Sequence, residues 1–278
     1  MKIAFLQDFF ENEIIGGAEQ NDSVLLNYLN TVDGLHVVPV HTYMIEHVIL
    51  CYDFFIVSNF VRLSEQAKQY LIDNGNYIIY EHDHKYVSNR NPAAFKDFIA
   101  PKNKLINKEF YKNAKKVFVL SEICKTVIQQ NLQIDNVHSI GCSLWSPQKL
   151  EIISGATDIR KDNDYGILNS ENPVKGTSQA MSYCKNNNIE PFLVGSADYA
   201  TFVTQLATCK NFLFMPQVLE TFSRVCAEAK MVNCSVATMP KMIGFFSEDY
   251  CSLSGRPLID KIGEKIDAAL TDFKNTIV

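Results

Sequence analysis

Short apolar runs alternate with amphipathic helical patterns along almost the whole chain, and that alternation restricts the fold to βαβ units with parallel sheets. Ile3–Leu6, Leu35–Val40, Phe54–Ser58, Tyr77–Tyr80, Val117–Leu120 and Val137–Ile140 read as strands. Helical patterns at Ala18–Leu29, Ser64–Asp73 and Glu122–Asn131 lie among them. A second series follows, with strands at Tyr165–Leu168, Pro191–Val194, Asn211–Met215 and Ser235–Thr238. Its helices are Gly176–Lys185, Tyr199–Cys209 and Phe222–Met231. Two series in 278 residues imply two domains, since single cores stop growing near this length. We expect residues 1–150 as one α/β domain, 151–256 as a second, and 257–278 as a terminal helix turning back toward the first. The mixed, polar stretch Cys142–Asp164 reads as the connection.

Ligands of doubly wound domains bind at the carboxyl ends of strands, so the residues just after each run carry the functional argument. Glu220 and Glu228 stand eight apart after the apolar run Asn211–Met215 and Pro216. With a helix from Phe222, Glu220 lies before its N-terminus and Glu228 two turns inside, nearly on one face. Two carboxylates beside free backbone N–H groups suit a diphosphate flanked by sugars: amides for phosphate, carboxylates for hydroxyls. The plain alternative is a solvated helix face.

Three other stretches belong to the same argument. Ile14-Ile15-Gly16-Gly17 follows the first strand and opens the first helix, where a missing Cβ lets backbone approach a ligand; a tight turn would look the same. Asn172-Pro173-Val174-Lys175-Gly176 puts a lysine at a strand-to-helix junction, placed to neutralise phosphate or simply exposed. Glu81-His82-Asp83-His84 ends the fourth strand, and strict alternation would set His82 and His84 on one face. That pair allows three readings: a metallohydrolase site, a crevice histidine and aspartate touching substrate, or a hydrogen-bonded structural histidine. Trp145, the sole tryptophan, reads as junction packing.

Net charge of -5 argues against general or specific nucleic-acid binding. Residues 102–116 hold six lysines and one glutamate, with Lys104, Lys108, Lys112 and Lys115 sharing a helical face against Ile106, Phe110 and Ala114. This basic amphipathic helix offers a peripheral contact with anionic lipid, or is merely solvated. Eight scattered cysteines without a Cys-x-x-Cys pair read as reduced thiols. The N-terminal apolar run meets Gln7 and Asp8 too soon for a signal peptide, and no segment has bilayer-spanning length. The expected location is cytoplasmic, or peripheral to the inner face of a membrane.

Taken together, these stretches resemble the retaining glycosyltransferases of family GT4, which have the GT-B fold: two Rossmann-like doubly wound domains facing each other across a cleft. The Glu-x7-Glu motif stands as Glu220-Thr-Phe-Ser-Arg-Val-Cys-Ala-Glu228, the early glycine pair as Gly16-Gly17, and the lysine loop as Lys175-Gly176. The strand-end histidine matches His82. The resemblance implies transfer of a sugar from a nucleotide-diphosphate-sugar donor without an essential metal or other cofactor. It implies that Glu228 holds the ribose hydroxyls and Glu220 those of the transferred sugar. The amides of Thr221 and Phe222 face the distal phosphate, Lys175 offsets the departing diphosphate, and Gly16 and Gly17 close on the donor. His82 and Asp83 touch the reacting sugar or an unidentified acceptor, whether glycan, lipid-linked or protein. Ser170 stands where the family carries an arginine, leaving Arg224 or Lys241 as substitute cations. Ser170 also sustains a second reading, a GT-B protein that binds a nucleotide sugar or glycan without turnover.

Overall fold

The computed structural model describes residues 1–14 and 16–278. It divides into two compact units, Met1–Leu144 with Lys265–Val278, and Trp145–Glu264.

The first unit is built on a sheet of six parallel strands: β1 (Lys2–Gln7), β2 (His36–His41), β3 (Phe54–Val57), β4 (Tyr77–Glu81), β5 (Val117–Val119) and β6 (Val137–Ser139). Their spatial order is β2-β1-β3-β4-β5-β6. The central strands are continuous apolar runs because helices cover both faces of such a sheet; β3 and β4 are buried at every residue. Helices α1 (Gly17–Leu29), α2 (Glu65–Asn74), α3 (Lys108–Asn113) and α4 (Glu122–Leu132) supply the crossovers. Ser64 caps α2 by accepting from the Ala67 amide at 3.1 Å, and Gly75 ends that helix at φ 64°.

The second unit repeats the plan with four parallel strands, β7 (Asn163–Leu168), β8 (Phe192–Val194), β9 (Cys209–Leu213) and β10 (Ser235–Ala237), in the order β10-β9-β7-β8. Helices α5 (Pro147–Gly155), α6 (Thr177–Asn186), α7 (Tyr199–Ala207) and α8 (Arg224–Met231) flank it. Ile167, Leu213, Ala180 and Cys184 bind α6 to the sheet. The last helix, α9 (Gly255–Ile277), begins in residues assigned to this unit and ends in the first. There Phe273 lies 4.0 Å from the ring of Phe118 and 4.9 Å from that of Tyr80.

In both units the chain reverses its direction of winding across one strand pair, β1/β3 in the first and β7/β9 in the second. Crevices form outside the carboxyl ends of strands at such switch points.

The structure corrects two local expectations. The boundary between the units falls inside Cys142–Asp164, between Leu144 and Trp145, but the stretch also carries a helix: Ser146 accepts from the Lys149 amide at 3.3 Å and Pro147 occupies the first turn of α5. A cap followed by proline outweighs mixed composition. Residues 102–116 do not form one basic helix. Asn107 at φ 58° breaks the stretch, and only Lys108–Asn113 is α-helical. Phe110 and Ala114 are buried in the protein's own core, which leaves Ile106 as the one exposed residue of the expected apolar face. Among the described residues no helix is long and apolar enough to cross a membrane. The eight cysteines are free thiols.

Candidate functional site

At the second switch point, the loop after β7 brings Lys175 and the loop after β9 brings Glu220. The Lys175 ammonium donates to both carboxylate oxygens of Glu220, at 2.8 and 3.2 Å. Glu220 is largely covered, with 11% of its side chain exposed against 35% for Lys175. The lysine loop has one shape available: Gly176 sits at φ 71°, and a Cβ there would overlap the carbonyl oxygen of Met215. Glu220 is fixed from the other side by a parallel bridge to Ile243. Its amide donates to Met242 O and its carbonyl accepts from the Gly244 amide, both at 2.9 Å.

Helix α8 begins at Arg224, two residues later than the apolar pattern implies, because Ser223 turns the chain at φ 68°. Glu220 is therefore a bridge residue and not part of a helical i, i+8 pair. Thr221 and Phe222 precede the helix instead of forming its first turn. Phe222 is buried, its ring 6.2 Å from Trp145 and 5.6 Å from Phe245.

Glu228 lies on α8, 3% exposed. Its Oε1 accepts from the Trp145 indole N–H at 2.8 Å and the Tyr199 hydroxyl at 2.7 Å. Arg224 Nε stands 3.8 Å from the same oxygen, and its guanidinium lies 4.4 Å over the Trp145 ring. Burial, then the Glu228 charge, raises the Tyr199 phenol far above its ordinary range, so it stays a donor. The two carboxylates keep separate partners: Lys175 for Glu220, and Trp145, Tyr199 and Arg224 for Glu228. Arg224 thus lies against Glu228 and the Trp145 ring. Ser170 Oγ accepts from the Asn172 amide at 3.2 Å and shapes the lysine loop. Lys241 is exposed in the turn Pro240–Met242, whose last residue accepts from the Glu220 amide.

At the first switch point Gly16 precedes α1 and Gly17 opens it; Ile15 lies outside the described residues. A Cβ on Gly16 would meet the Glu19 carboxylate. Glu19 is nearly buried, and burial, opposed by a backbone hydrogen bond and aided by Asp22, raises its pKa. Asp22 accepts from Ser58 Oγ at 2.6 Å and pairs with His82 Nε2 at 2.9 Å, all three buried. Asp83 binds Lys85 at 2.5 Å and Arg90 at 2.9 Å. His82 and His84 do not share a face: β4 ends at Glu81, and His84, at φ 59°, contacts the Tyr86 hydroxyl at 3.1 Å. Among the described residues no three His, Cys, Asp or Glu side chains gather as a metal site requires, so the His82/His84 metallohydrolase loses its geometric basis.

Four participants escaped the sequence reading. Asp22 had a signal, since it shares a helical stripe with Leu25 and Leu29, and a carboxylate in an apolar stripe needs a partner. Glu19 lies one turn from the glycine pair. Trp145 and Tyr199 meet Glu228 from 83 and 29 residues away, which no spacing reveals.

No protein-family model matches the chain, and no curated protein matches it. Several solved structures are similar. One is HepE from Anabaena in complex with UDP and glucose, at 13% identity over 98% of this chain and 100% of that one, TM-score 0.53. Another is an α-glucosyltransferase in complex with UDP-glucose and DNA containing an abasic site, at 11% identity over 99% and 92%, TM-score 0.52. A third is the UDP-GlcNAc 2-epimerase of Methanocaldococcus jannaschii in complex with UDP-GlcNAc and UDP, at 11% identity over 97% and 93%, TM-score 0.50. At these identities the likeness speaks for the fold: this is an α/β protein of the GT-B class, with two Rossmann-like domains.

Proposed function

We propose that this chain is a retaining, metal-independent glycosyltransferase of the GT4 type, using a nucleoside-diphosphate-sugar donor held on the second unit. The observation that carries the proposal is the Lys175–Glu220 pair across the β7/β9 switch point. A cation and a carboxylate at a strand-end crevice match the two demands of the chemistry. Lys175 exchanges Glu220 for the departing diphosphate, and the released carboxylate accepts from hydroxyls of the transferred sugar. Glu228 receives the ribose, while Thr221 and Phe222 offer backbone amides before α8. Lys241, with its side chain in solvent, is the remaining candidate for the second phosphate cation. On the first unit His82, held by Asp22, and Asp83 are the proposed contacts of the sugar or the acceptor, and Gly16 and Gly17 those of the donor. The structures similar in fold were solved with UDP or its sugars, which favours a nucleotide-sugar ligand over other ligands of α/β crevices.

One observation favours a second reading, binding without turnover: Ser170 supplies no cation at the lysine loop, and Arg224 lies against Glu228. Nucleotide-sugar hydrolysis, followed with and without chelator, separates the two. An active transferase leaks sugar to water, and Lys175→Met lowers that rate about 100-fold or more, with its unliganded melting curve measured to establish that the variant is folded. Donor binding without hydrolysis selects the second reading. Absence of nucleotide binding refutes the transferase and leaves of the second reading only its glycan-binding form.

A further inference from the structure

We infer that Trp145 and Tyr199 are positioning residues that make this a ribonucleotide site selective against 2′-deoxyribonucleotides, a role that rests on the donor-site reading of Glu228. Two neutral donors converge on a single oxygen, Glu228 Oε1, at 2.8 and 2.7 Å, and none of the contacts described uses Oε2. The cation nearest to Oε1 is Arg224, at 3.8 Å and stacked on the indole. The donors come from the starts of two different helices. Trp145 stands just before the Ser146 cap of α5, and Tyr199 opens α7 behind its own cap, where Asp198 accepts from the Thr201 amide at 2.7 Å. Both anchors are thus held by capped helices. They fix the carboxylate plane, so Oε2 keeps one direction.

An ionised carboxylate oxygen only accepts, and a vicinal diol presents two donors at the spacing of its lone pairs. The 2′- and 3′-hydroxyls of ribose supply such a diol; deoxyribose loses half of it. A carboxylate free to rotate would recover part of the lost contact with a different rotamer. A locked one cannot, so the lock converts binding into discrimination.

The test titrates the four ribonucleoside diphosphates and their 2′-deoxy counterparts against wild type, Tyr199→Phe and Trp145→Phe. Unliganded melting curves establish that each variant is folded, and Tyr199→Phe keeps the ring stacked on Phe202. Wild type is expected to favour the ribo form about tenfold or more, the worth of one charge-assisted hydrogen bond. In either variant that ratio is expected to fall to about threefold or less, mainly through weaker ribo binding. A structural role alone would weaken both forms alike and leave the ratio intact, which overturns the inference. Equal binding of ribo and deoxy forms by wild type overturns it too, while the donor-site reading survives. If wild type binds no diphosphate, the donor-site reading fails and takes this inference with it.

Discussion

Replacing Lys85 by methionine keeps the aliphatic stem and deletes the charge that two carboxylates face. Lys85 and Glu81 are both buried, 2% and 1% exposed, with Nζ 3.1 Å from Glu81 and 2.5 Å from Asp83. The Tyr111 hydroxyl and the Asp83 amide also donate to Glu81. Burial opposes the charge on Lys85, but Asp83 and Glu81 together outweigh it and hold the ammonium above the ordinary lysine range. Burial likewise works to raise Glu81, and Lys85 with the surrounding donors brings it below the ordinary carboxylate value. Removing one member of such a buried pair costs about 3–5 kcal/mol, because the other charge stays behind unpaired. For a unit of this size, that lowers the melting point by roughly 6–20 °C.

The sign of the pH dependence follows from the two directions. The Glu81 contribution is present above its unfolded pKa and is lost as pH falls through the lower folded value. The Lys85 contribution is present below the unfolded lysine pKa and is lost as pH rises through the higher folded value. In Lys85→Met the stranded Glu81 gains from protonation, so the deficit against wild type shrinks between pH 7 and pH 4.5. Adding Glu81→Gln to Lys85→Met recovers much of the stability at pH 7. Urea unfolding followed by circular dichroism at both pH values measures this. A deficit below about 1 kcal/mol at pH 7, or one that ignores pH, would refute the argument.

Glu19→Gln should raise the melting point at pH 7, since the native state holds this carboxylate above its ordinary pKa and charging it opposes folding. The gain should vanish once the pH falls below the ordinary glutamate range, and a variant less stable than wild type at pH 7 contradicts the assignment. Gly176→Ala should cost about 2–4 kcal/mol in urea unfolding, from the left-handed backbone and the overlap with Met215 O; a loss under about 1 kcal/mol means the loop has another shape. Ser223→Gly should stabilise by about 1 kcal/mol by relieving the positive φ before α8. A melting point that drops instead would show that the serine hydroxyl matters more than the backbone.

The ten strands of the described residues were visible in the sequence: β3 and β4 as runs buried at every residue, because helices cover both faces, and the partly exposed ones such as β10 as short apolar segments between polar turns. Helix ends were less visible. The start of α8 was missed by two residues since nothing in Thr221-Phe222-Ser223 announces a left-handed serine. The lysine-rich stretch failed for a related reason: its apolar positions were counted as a lipid face when Phe110 and Ala114 belong to the core. Periodicity shows that a stripe exists, not what it meets.

At the candidate site, the sequence alone picked out Lys175, Gly176, Glu220 and Glu228, because strand-end loops and helix starts are written in local residue order. It also implied two doubly wound sheets. Only the tertiary structure decided that Lys175 closes on Glu220, that Asp22 holds His82, and that Trp145 and Tyr199 share one oxygen of Glu228. Secondary structure depends on neighbours a few residues apart. The partner of a buried charge is whichever donor the crossovers carry to it, so it is settled when the sheets assemble.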